Sequence, residues 1–207
     1  MENGADVTAR DNQAIIEAAR HLDIVKWLAE NGADVTARNN EVIVMAASCG
    51  RFDVVQWLAA NGADVTAQDN QVIMCAVCWN DIAALKWLIK TGADVTAQDN
   101  RAIIDALIFR NFDMVKCLAE NGADVTARDN EVIIMASANG NLHVVQWLFE
   151  NGADVTAKDN APIIAAAEHA HVRVVQYLAE NGADVTARDN EAVILAAKYG
   201  NLDVVQC

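Results

Sequence analysis

Beginning at Asn31, a phrase close to "NGADVTARDN" returns at Asn61, Thr91, Asn121, Asn151 and Asn181, thirty residues on each time. An earlier copy begins at Asn3, twenty-eight residues before the second. Fixed self-similarity with a period of about 20–50 residues marks a stacked array, so the chain is not to be read as one globular topology. The period predicts seven units in one continuous array: 3–30, 31–60, 61–90, 91–120, 121–150, 151–180 and 181–207. The first is two residues short and the last is truncated.

One unit, "NGADVTARDNEVIIMASANGNLHVVQWLFE" (121–150), carries two helical stripes. Ile133, Ile134 and Ser137 form the first, closed by Gly140, and Leu142, Val145, Trp147 and Leu148 form the second. Asp129-Asn130 stands just before the first stripe, where a short side chain can accept bonds from unpaired helix amides. Pro162, the only proline, falls in the first turn of its helix, where a missing N–H costs little. Gly122, Gly152 and Gly182 follow the second stripe, and glycine takes the left-handed closing conformation without steric cost. Each unit therefore reads as helix, short turn, helix and a connecting loop of about ten residues, with strand nearly absent. In the first unit the deletion between Ala19 and Leu22 should shorten the first helix and its turn and leave the second in register.

A thirty-residue helix pair cannot bury enough apolar surface to offset about 1–2 kcal/mol of ordering entropy per residue. It must stack on copies of itself, and the residues at the junction must fit the same neighbour every time. That explains a phrase held constant while the residues between its copies drift.

The unit resembles the ankyrin repeat. The resemblance lies in "GADVTA", in the small pairs Ala46-Ala47, Ala166-Ala167 and Ala196-Ala197, and in "GNLDVVQ" (200–206), and it covers essentially the whole chain. It implies an all-α solenoid that binds proteins through helix 1 and the loop fingers of a concave face. Ankyrin units run to about 33 residues, and three are missing here between "TAK" and "APII" (155–164). The family's threonine-proline-leucine-histidine motif survives only as Pro162-Ile163. Its histidine position holds Ile16, Val44, Met74, Ile104, Ile134, Ile164 and Ile194, so apolar packing should replace the family's polar network. Shortened variants of this kind are similar to those in large amoebal viruses and some microbes. The missing fingertip moves the expected contact surface toward helix 1 and the helix–helix turn.

Copies disagree most at the end of helix 1. Reading along that stripe, the candidate partner-binding residues are Met45, Cys49, Cys75, Cys78, Trp79, Asp105, Ile108, Phe109, Arg110, Met135, Asn139, His169 and Tyr199. Trp79, Ile108 and Phe109 would make an apolar cluster bordered by Asp105 and Arg110, the composition of a binding hot spot. The alternative is drift, with these side chains folded against the neighbouring turn.

Little else in the chain suggests chemistry. A net charge of −14 repels phosphate backbones and anionic membranes, so neither nucleic acid nor a membrane is an expected partner. No apolar run approaches the roughly 20 residues of a membrane span, and "MENGADVT" lacks the features of a signal peptide. With five cysteines, an odd number, reduced thiols in the cytoplasm are expected. Cys75-x-x-Cys78 has no second ligand pair for zinc and reads as two small apolar residues. His169 and His171 lack a carboxylate partner and read as solvated. No catalytic residue, cofactor or metal site is expected, and the chain is not expected to be an enzyme.

The expected function is non-catalytic binding of a protein partner. Two rivals stand beside it: a self-associating structural array, and an excised or engineered scaffold fragment with no activity of its own. The C-terminal unit carries the ordinary apolar set Val193, Ile194, Val204 and Val205 without an atypical polar cap. Weak self-association through residues 191–207 follows from that.

Overall fold

Residues 6–207 are described in this computed structural model; the start of the first copy, expected at Asn3, lies outside them. The two stripes read from the sequence become paired helices. In chain order the pairs are α1 (Ala9–Glu17) with α2 (Leu22–Glu30), α3 (Ala37–Ser48) with α4 (Phe52–Ala60), and α5 (Ala67–Cys78) with α6 (Ile82–Lys90). Then come α7 (Ala97–Ile108) with α8 (Phe112–Glu120), α9 (Ala127–Ala138) with α10 (Leu142–Glu150), α11 (Ala157–Glu168) with α12 (Val172–Glu180), and α13 (Ala187–Lys198) with α14 (Leu202–Val205). Among the described residues there is no strand. The residues from Asn31 to Thr36, and their equivalents, are turns and short irregular backbone that lead straight into the next helix.

The chain divides into two compact units, the first ending at Ala102 and the second beginning at Ile103. In the first, α1 packs on α3, α3 on α5 and α2 on α4. In the second, α9 packs on α11 and α11 on α13, with α10 on α12 and α12 on α14. The seams are apolar and close. Ile43, Ala46, Ala47, Val55 and Leu58 are fully buried in the first unit, as are Ile133, Ala136, Val145, Leu148 and Ile163 in the second. Alanines at the seam allow the helices to approach, and each large aliphatic buried there contributes about 1.5–3 kcal/mol. Ser137 replaces an alanine at the same depth, and its hydroxyl donates to the Ile133 carbonyl at 2.8 Å, so no polar group is stranded.

Every helix but α1 and α14 ends in the same way. After α2, Gly32 takes φ +102°; its N–H donates to Ala29 O and that of Ala33 to Leu28 O, each at 3.0 Å. This is the paired bond pattern of a helix closed by a left-handed residue. Gly122 closes α8 identically, as the sequence predicts. The side chain that opens the phrase adds a third bond, Asn31 Nδ2 donating to Trp27 O at 2.7 Å. Thr91, the one substitution there, keeps the function by donating from Oγ1 to Leu88 O at 2.9 Å. At the end of the first helix of a pair (α1, α3, α5, α7, α9, α11 or α13, the inner helix), the left-handed place is held by Gly50, Gly140 and Gly200, but also by Asn80, Arg110 and Ala170.

The start of the inner helix differs from the expectation. In α3 the residues Arg38, Asn39 and Asn40 all have positive φ, between 50° and 61°, and the right-handed helix begins only at Glu41. The same left-handed triplet precedes each inner helix, at Gln68–Asn70 and Lys158–Asn160 for example. Pro162 thus sits in the first right-handed turn, where the sequence places it. Left-handed helix costs an L-residue about 1–2 kcal/mol, least for Asn and Asp, which occupy the second and third places of every triplet.

Asn40 therefore does not cap its own helix, as a reading of Asp129-Asn130 as an N-cap would require. Its Oδ1 accepts the backbone N–H of Asp64, in the next copy of the phrase, at 2.8 Å. The same bond runs from Asp34 to Asn12 at 2.7 Å and from Asp94 to Asn70 at 2.8 Å in the first unit. In the second unit it joins Asp154 to Asn130 and Asp184 to Asn160, both at 2.7 Å. Each aspartate that donates also folds its own turn, for Asp34 Oδ1 accepts the Thr36 hydroxyl at 2.7 Å and the Thr36 N–H at 2.8 Å. Those bonds, the hydroxyl's first, hold the Asp34 and Asp184 carboxyls below the usual aspartate range. The long side chain that opens a triplet reaches back in the same direction: Gln98 Nε2 donates to Asp69 O at 2.9 Å, and Arg38 donates to Arg10 O and lies 3.5 Å from the Asp11 carboxylate. The constant phrase is thus a chain of bonds from one helix pair to the next.

The two-residue deletion falls where the sequence places it. Helix α1 has 9 residues against 12 in α3, whereas α2 and α4 both have 9.

Two outcomes follow in denaturant unfolding. Asn70→Gly keeps the left-handed place but loses the acceptor and should cost about 1 kcal/mol; Asn70→Ala adds backbone strain and should cost about 2. Asn70→Asp retains both and should be nearly neutral; a neutral glycine variant would mean the bond contributes nothing. At the inner-helix ends, Ala170→Gly should stabilise by about 1 kcal/mol by relieving an alanine at φ +62°. Gly122→Ala should cost about 1 kcal/mol. Gly140→Ala should cost roughly 1 kcal/mol more, because its Cβ would stand 2.3 Å from His171 Nδ1. Equal losses at the two glycines would contradict this.

Candidate functional site

The variable stripe occupies the last turn of the inner helices and the turn that follows. Residues there face away from the seam, because one hundred degrees farther round the helix the small pair is already buried. In the first unit Met45 and Cys78 are exposed and Cys49 is half-buried, its Sγ accepting Arg20 Nε at 3.0 Å. Cys75 is a correction to the accessible stripe: it is 6% exposed, with Ser48 Oγ 3.5 Å from its sulfur. Trp79 is 55% exposed. Its indole N–H donates to Ser48 O at 3.3 Å and its ring lies over Gly50, where any Cβ would meet it at 3.1 Å. One face of the ring is packed on the preceding turn and the other is open.

In the second unit Ile108 and Phe109 are each 49% exposed at the end of α7. Arg110 follows in the left-handed closing place, its guanidinium donating to Asn139 Oδ1 at 3.3 Å. Asp105 is a second correction, because it is 9% exposed and does not border the cluster at the surface. It sits one helical turn before Phe109, on the side turned into the fold. Met135 and Asn139 are half-buried and His169 and Tyr199 exposed, with Lys198 Nζ 4.9 Å from the Tyr199 ring centre. Trp79 belongs to the first compact unit, and Ile108, Phe109 and Arg110 to the second.

Two of the histidines serve the turns. His169 Nδ1 donates to Ala165 O and His171 Nε2 to Ala138 O, both at 2.9 Å, and the two rings stack with centres 6.2 Å apart. His171 is one of a set that sequence reading misses. The residue after the inner-helix turn reaches back to the end of the preceding inner helix or the turn after it, as Arg51 does to Arg20 O and Asn201 to Ala167 O at 3.1 Å. Three different residue types share the task, so no motif announces it.

Among the described residues no group of three or more histidine, cysteine or acidic side chains is placed to hold a metal ion. The five cysteines form no disulfide. No helix among those residues is long and apolar enough to cross a membrane. An outer aromatic cluster was also not foreseen: Phe112 meets His143 and Trp147 edge-on at 5.2 and 5.7 Å, with Lys116 Nζ 4.8 Å from the Phe112 ring centre.

The fold is shared with known proteins. Over 93% of this chain and 96% of its own length, the human ASB11 ankyrin repeat domain superposes with a TM-score of 0.74 at 23% identity. The ankyrin repeat domain of Bcl-3, a member of the IkappaB family, gives 0.70 at 20% identity over 94% of this chain and 98% of its own. No curated protein matches the chain in sequence. The family profile described as ankyrin repeats in three copies matches residues 1–69, 43–129 and 132–207. Ankyrin repeat domains generally mediate protein–protein interactions and are typically non-catalytic. With its fourteen described helices and its repeated seams, this all-α solenoid chain belongs to the ankyrin repeat family.

Proposed function

We propose that this chain is a non-catalytic module that binds a partner protein through the ends of its inner helices and the turns after them. The observation that supports this best is the contrast at the end of α7. Ala106 and Leu107 are buried, whereas Ile108 and Phe109, the next two residues, stand half exposed beside Arg110. An open aromatic and aliphatic pair next to a guanidinium is the composition of a binding hot spot. Cys49, Cys78 and Trp79 hold the corresponding positions of the first unit, and Asn139, His169 and Tyr199 those of the second; Met45 and Met135 stand one helical turn earlier on the same stripe. The net charge of −14 favours a partner with a basic contact surface over nucleic acid or an anionic membrane. Five cysteines without a disulfide favour a reducing, cytoplasmic setting.

The test begins with a partner recovered on the immobilised chain and identified. Titrated by calorimetry, an Ile108→Ala, Phe109→Ala variant should bind it about 30-fold more weakly, roughly 2 kcal/mol, at an unchanged melting temperature. Affinity equal to the parent's would move the contact to another surface. Trp79→Ala should behave differently, losing about 1 kcal/mol of stability as well, because its ring covers the Gly50 turn.

A further inference from the structure

The second, outer helix of each pair closes on a pattern from which two helices depart. Helices α2, α8, α10 and α12 finish on glutamate, at Glu30, Glu120, Glu150 and Glu180. In α2 and α8 that glutamate stands four residues after a lysine, Lys26 or Lys116, the spacing at which opposite charges attract along a helix. Helix α4 instead ends on Ala59-Ala60, and α6 places Lys90 four residues after Lys86. Both of these lysines are exposed, and among the described residues neither is in an ion pair. Like charges at this spacing repel. The helix dipole favours Lys90 at the end of α6, but it acts mainly on the last turn and does little for Lys86. Helix α6 carries no acid of its own. The nearest in sequence, Asp81, is engaged at the opposite end, its Oδ1 accepting the N–H groups of Ala83 and Ala84 at 3.0 and 2.9 Å.

The two departures meet at one place. Helices α4 and α6 are consecutive outer helices of the first compact unit, and both contribute to a groove of about 570 Å³ lined by Gln56, Ala59, Ala60, Val65, Trp87 and Thr91. The two alanines that end α4 leave the space, and the half-buried Trp87 borders it from α6. Where four other outer helices place a carboxylate, this groove has the methyl group of Ala60, and the next helix has a cation. Asp64, the acidic residue in the lining, has its Oδ1 occupied by the Thr66 N–H and hydroxyl at 2.8 and 2.7 Å. In a chain of net charge −14, α6 is the one outer helix with more basic than acidic residues.

We propose that this groove docks an acidic segment of a partner protein, an apolar side chain of the segment lying on Ala59, Ala60 and Trp87 while the carboxylates beside it pair with Lys86 and Lys90. The occupant is chosen by charge complementarity. A basic segment would meet two ammonium groups that already repel each other, and a wholly apolar one would leave them uncompensated. An acidic segment supplies the counter-charge that Lys26 and Lys116 have in the glutamate of their own helix. The apolar floor supplies the anchor, and the exposed lysines select the sign of what lies on it. This surface lies on the outer helices of the first unit and does not rest on the reading given above for the ends of the inner helices.

The probes are a synthetic peptide of leucine flanked on both sides by glutamates and its counterpart with lysines in the glutamate places. Each is titrated into the isotopically labelled 207-residue chain, and the Trp87 indole N–H and the Ala59, Ala60 and Thr91 amides are followed by magnetic resonance. The glutamate peptide should shift these signals saturably, and the lysine peptide should leave them in place. Lys90→Glu, which restores the residue that ends four other outer helices, should weaken binding of the glutamate peptide about tenfold, and Lys86→Gln about threefold. Ala60→Glu should abolish it. All three positions are exposed, so melting curves should be unchanged. No shift with the glutamate peptide, equal shifts with both peptides, or full binding to the Lys90→Glu variant would each overturn the proposal. Free glutamate producing the same shifts as the peptide at equal concentration would also overturn it, reducing the groove to a contact for small anions.

Discussion

One hydrogen bond recurs at the junctions between helix pairs, and the fold's repetition depends on it: an asparagine side chain accepting the backbone N–H of an aspartate in the next copy. Apolar seams supply most of the stabilisation, but they are non-directional and would tolerate some sliding of one pair on the next. The asparagine bond is directional. It ties the left-handed turn of one pair to the aspartate turn of the following one, whose carboxylate in turn orders the threonine two residues on. Buried methyl groups supply the attraction, and this bond fixes the register in which they meet.

That register has a local cost. Three consecutive residues are wound left-handed before each right-handed inner helix, a conformation that only glycine, asparagine and aspartate adopt readily. The second and third places are filled accordingly. The first place holds Arg, Gln or Lys, and where the side chain is arginine or glutamine it bonds to a carbonyl of the preceding triplet at several junctions. Strain in the backbone is thus offset by bonds between pairs, and the triplet substitutes for the longer loop finger of an ordinary ankyrin unit. With the junction fixed in this way, the ends of the inner helices are free to vary, and there the chain carries its exposed tryptophan, isoleucine, phenylalanine and tyrosine.

Much of this was legible in the sequence. The period, the paired stripes, the closing glycines at Gly32 and Gly122, and the shortened α1 all follow from spacing and residue type, because they are local. The asparagine's role was not. Position and chemistry suggest a helix cap, and Asn40 and Asn130 would serve as one in a right-handed setting. A cap tolerates serine, threonine or aspartate, whereas asparagine stands here in all seven copies, at Asn12, Asn40, Asn70, Asn100, Asn130, Asn160 and Asn190. That invariance was the available signal for a left-handed residue with an obligatory acceptor. The stripe at the inner-helix ends was read correctly in outline, but Cys75 and Asp105 lie on its buried side. A difference of one helical turn against a neighbour separates an open side chain from a covered one, and variation between copies does not encode it. Nor does it encode the packing of Trp79 on Gly50, which needs the adjacent turn in place.

Amide hydrogen exchange at Asp64, Asp94, Asp154 and Asp184 tests the junction bond most directly, since each N–H has one acceptor, an asparagine side chain in the preceding copy. These four loop amides should exchange as slowly as the helical amides of the pairs they join, and only through opening of the whole junction. If they exchange at the rate of unprotected loop amides while Val55 and Val145 remain protected, the helix pairs are held by their apolar seams alone and the asparagine bond does not set their register.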